Sequence, residues 1–76
     1  MYLEIIKTVL KQEMYIDEPD ITNETIFKED LELDSLDMVE FTMAVEEVLE
    51  VELLDEDIAQ IKTVSDLIEA IKKNKG

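Results

Sequence analysis

The chain has no cysteine, no histidine and no arginine, and only one proline, Pro19, and one glycine, Gly76. Without cysteine there can be no disulfide and no thiolate metal site. Without histidine the commonest general base is missing, and neither a Ser-His-Asp nor a Cys-His arrangement can be built. Carboxylate pairs remain available for acid–base work, but a chain of 76 residues offers little enclosure for it. Catalysis by this chain alone is therefore not expected. The turn dipeptides that mark β-hairpins are absent as well. No apolar stretch approaches the roughly 18 residues of a membrane helix. No basic segment followed by an apolar run opens the chain, so no signal peptide is expected. These absences point to a soluble, cytoplasmic protein that does not insert into membranes.

Acidity is the strongest positive feature. Seven lysines face 21 aspartates and glutamates, for a formal charge of −14. Such a surface is repelled by nucleic acid and by anionic lipid, and its charged partners should be basic. High acidity can also signal disorder. Against that, 46% of the residues are hydrophobic, and they recur at intervals of three and four, the helical spacing. The expectation is one all-α domain over residues 1–76, a small four-helix bundle and a monomer.

The first helix is expected over Tyr2–Glu13, with Leu3, Ile6, Val9, Leu10 and Met14 marking its buried stripe. Pro19, in the run Asp17-Glu18-Pro19-Asp20, ends it and opens a long connection reaching Asp34. Ile21, Ile26, Phe27, Leu31 and Leu33 read as anchors that pin this connection to the core, since long unpacked loops are uncommon. The second helix is expected over Ser35–Leu49, a short third over Asp55–Gln60, and a fourth over Val64–Lys73. Thr63 and Asp66 form a short version of a capping box at the start of the fourth. Val64, Leu67, Ile68 and Ile71 are its stripe, and Lys72, Lys73 and Lys75 complement the negative end of its dipole.

The second helix carries two apolar faces. At 100° per residue, Met38, Phe41, Thr42, Val45, Val48 and Leu49 fall on one side, and Leu36, Val39 and Met43 on the other. Glu40 and Glu47 share that second side, with Ala44 beside them and Asp37 at its edge. A surface helix ordinarily shows one apolar stripe. The second is either scattered apolar exposure or burial on both sides, or a docking face with acids set against a basic partner. Met43 suits docking because its thioether adapts to several partners. Ser35 opens this helix after Asp34. It is either a cap itself or, if Asp34 caps, an exposed hydroxyl at the positive end of the helix dipole. Asp30, Glu32 and Asp34 alternate like early calcium ligands, but Ser35 stands where an EF-hand needs glycine and Phe41 where it needs glutamate. No specific metal site is expected.

Asp34-Ser35-Leu36-Asp37-Met38-Val39-Glu40 resembles the D-S-L-D-x-V-E signature of acyl carrier proteins. Phe27-Lys28-Glu29-Asp30-Leu31, Met43-Ala44-Val45-Glu46-Glu47 and Ile61-Lys62-Thr63-Val64 are similar to that family's flanking segments, so the resemblance runs from about Ile26 to Ile71. It implies a four-helix bundle and a phosphopantetheinyl transferase that esterifies a 4′-phosphopantetheine arm onto Ser35. It also implies acyl thioesters on the arm's sulfur, which suits a chain with no thiol of its own. Asp34, Leu36, Asp37, Val39, Glu40, Met43, Ala44 and Glu47 would then recognise partner enzymes. Phe41, Val45, Ile58, Ile61 and Ile68, on the inner stripes, would shelter the acyl chain. The chain departs from the family pattern at two places. Glu32-Leu33 replaces a Gly-small pair before the Asp-Ser, and Leu53-Leu54 replaces an Ile-Pro pair. Fatty acid synthesis is the leading reading of the pathway, with synthase enzymes bearing basic patches as partners. A specialised carrier for a polyketide, lipopeptide or envelope product, or an acidic adaptor without an arm, are the alternatives.

Overall fold

The computed structural model describes residues 2–17 and 19–75. Glu18 and the side chain of Lys75, which figure in the expectations above, lie outside that description. Among the described residues five helices follow one another: α1 (Tyr2–Met14), α2 (Phe27–Asp30), α3 (Ser35–Leu49), α4 (Asp55–Gln60) and α5 (Val64–Lys75). The described residues contain no strand, only an isolated antiparallel bridge between Ile26 and Thr63.

α1 buries Ile6, Val9 and Leu10 against α3, and α5 closes on α1 from another side. α1 ends at Tyr15, which takes a left-handed conformation (φ 59°). The Ile16 N–H then donates to the Leu10 carbonyl at 3.0 Å, which gives this amide a partner just past the helix end. The nearby Lys11–Asp17 ion pair, 3.6 Å long and exposed on both sides, adds little stability.

The connection from α1 to α3 is packed, as its apolar residues predict: Ile21, Phe27 and Leu33 are buried. It contains one element that periodicity does not reveal, the single turn α2. A four-residue helix cannot support itself in water. Here Asp30 reaches back to accept from the Ile26 N–H at 2.8 Å, and Phe27 is buried against Phe41 with ring centroids 5.3 Å apart. Backbone bonds tie the segment to the start of α5: Phe27 N–H to Lys62 carbonyl and Val64 N–H to Thr25 carbonyl, both 3.0 Å. The core formed by Ile6, Leu10, Phe27, Phe41, Val45, Leu67 and Ile71 thus draws on α1, α2, α3 and α5. Truncating Phe41 to alanine would cost roughly 3–5 kcal/mol, a large share of what a small domain possesses.

Val48 departs from expectation. Grouped with the inner stripe of α3 by periodicity, it is 57% exposed, because it sits at the margin of that stripe rather than on its centre line. The two family departures differ in conformational cost. Glu32 holds φ 55°, the backbone a glycine would adopt without strain, and Leu54 has φ −75°, within the range proline imposes.

Candidate functional site

The start of α3 is built by two aspartates. Asp34, with extended backbone, caps the helix: its Oδ1 accepts from the Asp37 N–H at 2.8 Å, and Asp37 Oδ2 accepts from the Asp34 N–H at 3.2 Å. This reciprocal box answers the question that Ser35 poses in the sequence. The cap position is taken, so Ser35 is the first helical residue. It is exposed, and no hydrogen bond among the described residues engages its hydroxyl. A free hydroxyl therefore stands at the positive end of a 15-residue helix, where an esterified phosphate is electrostatically favoured.

From Ser35 the outer face of α3 runs away over Leu36 (74% exposed), Val39 (48%) and Met43 (60%). Glu40 and Glu47 are exposed alongside them, while Ala44 is half-buried. The second apolar face is therefore real surface and not a second core contact. Asp37 is half-buried and, like Asp34, has an oxygen committed to the cap, so its acidity is only partly available to a partner.

A groove of about 940 Å³ opens beside Ser35, between α3, the α2 segment and α4. Leu33, Met38, Leu53, Ile58 and Ile61 give it an apolar lining. Of the residues assigned to cargo from the sequence, Ile58 and Ile61 line it. Phe41 and Val45 do not; they are fully buried behind it. Ile68 is half-buried in the core and also lies outside the groove. Sequence reasoning had not picked out Met38, Thr42 and Glu46 as lining residues. Together with Ser35 they form one row on α3 at spacings of three, four and four; in the sequence Met38 and Thr42 read as inner stripe, and Glu46 lies outside it.

α5 begins with the box anticipated from Thr63 and Asp66. Thr63 Oγ1 accepts from the Asp66 N–H at 3.1 Å, and Asp66 Oδ2 accepts from the N–H groups of Lys62 at 3.0 Å and Thr63 at 3.1 Å. Hydrogen bonds from those two backbone amides, Lys62 first, hold the Asp66 carboxyl below the usual aspartate range. Among the described residues no group of three or more acids is placed to hold a metal ion, and no helix is long and apolar enough to cross a membrane.

A family model described as the phosphopantetheine attachment site matches residues 4–71. An acyl carrier protein of Coprothermobacter proteolyticus is 42% identical over 69 residues, covering 91% of this chain and 84% of that one. The chain belongs to the acyl carrier protein family. The crystal structure of an acyl carrier protein from Thermotoga maritima superposes with a TM-score of 0.88 at 28% identity, over 97% of this chain and 86% of that one. A Mycobacterium tuberculosis structure at 23% identity gives a TM-score of 0.86 over 96% and 97% of the two chains, a likeness of fold alone. The protein is thus a non-catalytic carrier of phosphopantetheine in a small helical bundle, and an adaptor without a prosthetic group is set aside. The residues present fit such a carrier. It has an exposed, uncommitted hydroxyl at the start of α3 and an apolar groove beside it. When bound, the group supplies the thiol on which acyl groups ride, which a chain without cysteine cannot supply.

Proposed function

We propose that Ser35 is the residue that carries phosphopantetheine, and that the carrier presents growing acyl chains to the cytoplasmic enzymes of fatty acid synthesis. The observation that carries the first part is the Asp34–Asp37 capping box. It discharges the structural duty a helix-start serine would otherwise have and leaves the Ser35 hydroxyl free. The second part is supported by the character of the groove, mostly apolar and adjacent to Ser35.

In this reading the chain's own residues do three things. Asp34 holds the N-terminus of α3 so that the first-turn N–H groups face the esterified serine. Leu36, Val39 and Met43 offer apolar contact to a phosphopantetheinyl transferase and to synthase enzymes. Glu40 and Glu47, with the remaining oxygens of Asp34 and Asp37, steer those partners through their basic patches, which raises the association rate more than the final affinity. Ala44, small and half-buried, lets a partner surface approach the helix closely. The groove shelters the acyl chain between visits, with Ile58 and Ile61 in contact and Phe41, Val45 and Ile68 reached only if the core opens.

The test is direct. Incubation with coenzyme A and a broad-specificity transferase should add one arm by intact mass, and Ser35→Ala should add none. The loaded carrier, offered to a reconstituted set of elongation enzymes, should then gain mass in two-carbon steps. A mass gain that survives Ser35→Ala would overturn the attachment site. Loading without elongation would move the carrier to a specialised pathway.

A further inference from the structure

The row of α3 side chains that faces the groove changes character along its length. Met38 lies one turn from Ser35, Thr42 two turns and Glu46 three turns, so Thr42 stands roughly 10 Å and Glu46 roughly 16 Å along the axis from the serine. A β-branched hydroxyl on the inner side of a helix is an unusual choice where valine would pack equally well. Thr42 is nonetheless buried with 0% exposure and forms part of the groove lining. Its hydroxyl donates to the Met38 carbonyl at 2.8 Å and to the Val39 carbonyl at 3.1 Å. Its one proton is therefore spent within the helix. A hydroxyl oxygen has two acceptor sites as well, and no donor among the described residues fills either. Glu46 is similar. One oxygen, Oε2, accepts from the Leu53 N–H at 2.8 Å, and no hydrogen bond among the described residues engages the other. Apart from Ser35, whose hydroxyl is esterified in the loaded carrier, the side-chain donors that border the groove are Lys28 and Lys62; both are exposed and keep their ammonium groups in water at the rim.

A groove whose α3 wall offers side-chain acceptors and no side-chain donor at Thr42 and Glu46 distinguishes between kinds of cargo. A saturated chain leaves those acceptors dry and unpaired. A keto or carboxylate oxygen sets acceptor against acceptor. A hydroxyl supplies the missing proton. We infer that Thr42, seconded by Glu46, makes this groove selective for acyl groups that bear a hydroxyl over saturated chains of the same length. The inference rests on the reading above, in which the cargo of Ser35 enters the groove. Thr42 acts as a specificity-determining residue and does no chemistry.

The experiment loads the full chain from coenzyme A analogues that carry, through a hydrolysis-resistant amide, either a saturated acyl chain or its hydroxylated counterpart of equal length. Intact mass verifies that each is fully attached. Protection of the Ile58 and Ile61 amides from hydrogen exchange reports shelter in the groove. In the wild type the hydroxylated chain should raise protection about five-fold more than the saturated one, the size expected of one net hydrogen bond. Thr42→Val, nearly isosteric, should bring that ratio to about one or below it. Thr42→Ser keeps the hydroxyl and should keep the preference, which separates the acceptor's role from mere packing. Glu46→Gln should weaken the preference without abolishing it. If the saturated chain protects both amides and the hydroxyl adds nothing, or if Thr42→Val leaves the ratio unchanged, the inference is wrong while the groove reading stands. If neither chain protects them, cargo does not enter the groove and both fall.

Discussion

Alanine at position 34 and alanine at position 35 should have opposite effects, although the residues are neighbours at one helix start. Asp34→Ala removes the 2.8 Å bond to the Asp37 N–H and strips Asp37 of its 3.2 Å return bond. Loss of an N-cap aspartate costs about 1 kcal/mol, and the lost negative charge beside the positive end of the dipole adds a few tenths. Both groups are solvent-accessible, so no large desolvation penalty is left behind. In a domain of this size about 1 kcal/mol lowers the melting midpoint by roughly 4–8 °C. Ser35→Ala removes no side-chain hydrogen bond and places a better helix former in the first turn, so its effect should stay within about 0.5 kcal/mol. Modification should follow the reverse order: Asp34→Ala still accepts the arm, more slowly, and Ser35→Ala never does. Thermal melts by circular dichroism, run beside intact mass after transferase treatment, give both readouts on the same samples. A Ser35→Ala midpoint that falls as far as that of Asp34→Ala would mean that the serine hydroxyl caps the helix, and the argument for its freedom would fail.

Other outcomes follow from the same geometry. Glu40→Lys and Glu47→Lys should slow association with the transferase and with synthase enzymes at low salt while leaving the melt almost unchanged, and added salt should shrink the difference; equal association rates at low salt would count against a charged docking face. Leu36→Ala should weaken the same binding with little salt dependence. Because the folded-state pKa of Asp66 lies below its ordinary value, its contribution to stability is present above the ordinary aspartate pKa and is lost as pH falls through the lowered folded value; Asp66→Asn should flatten that stretch of a pH–stability curve and match the wild type once both are fully protonated. Glu32→Gly and Glu50→Gly, at left-handed positions with φ 55° and 53°, should each stabilise the fold by roughly 0.5–1 kcal/mol, read from urea midpoints. With a net charge of −14, the melting midpoint should rise with sodium chloride and rise further with magnesium or calcium at matched ionic strength; a midpoint indifferent to all three would show that charge repulsion does not strain the native state.

The parts of the fold that sequence made legible are those where periodicity and caps agree. α3 and α4 begin and end where spacing placed them, and α1 and α5 differ only at their C-terminal ends, by one residue and two. Thr63 and Asp66 announce α5 because a capping box leaves a signature at fixed spacing. α2 was hidden because one turn has no period, and its support comes from far along the chain, from the Lys62 carbonyl. Val48 was misassigned because a wheel divides a helix into faces without knowing how wide its neighbour is. The signature marks Ser35 as a candidate site, yet its freedom from capping is evident only with the Asp34–Asp37 bonds in place. The groove was the least legible feature. Its lining joins α2, α3 and α4, and tertiary packing alone decides that Thr42 faces a space while Phe41, one residue earlier, faces the core.

α4 has a particular dependence on the far end of the chain. It buries no residue completely and has no side-chain cap at its start, and six residues are too few to hold a helix in isolation. Polar bonds reach it from the last turns of α5: Lys73 Nζ pairs with Asp57 at 3.3 Å, and Asn74 Nδ2 donates to the same carboxylate at 3.3 Å while also bonding the Ala70 carbonyl at 2.8 Å. The α4 wall of the groove is therefore moored by residues that take no part in lining it. Trimming α5 before Lys73, or fusing a charged tag against it, would slacken that mooring and, on the proposed reading, alter how readily cargo enters and leaves.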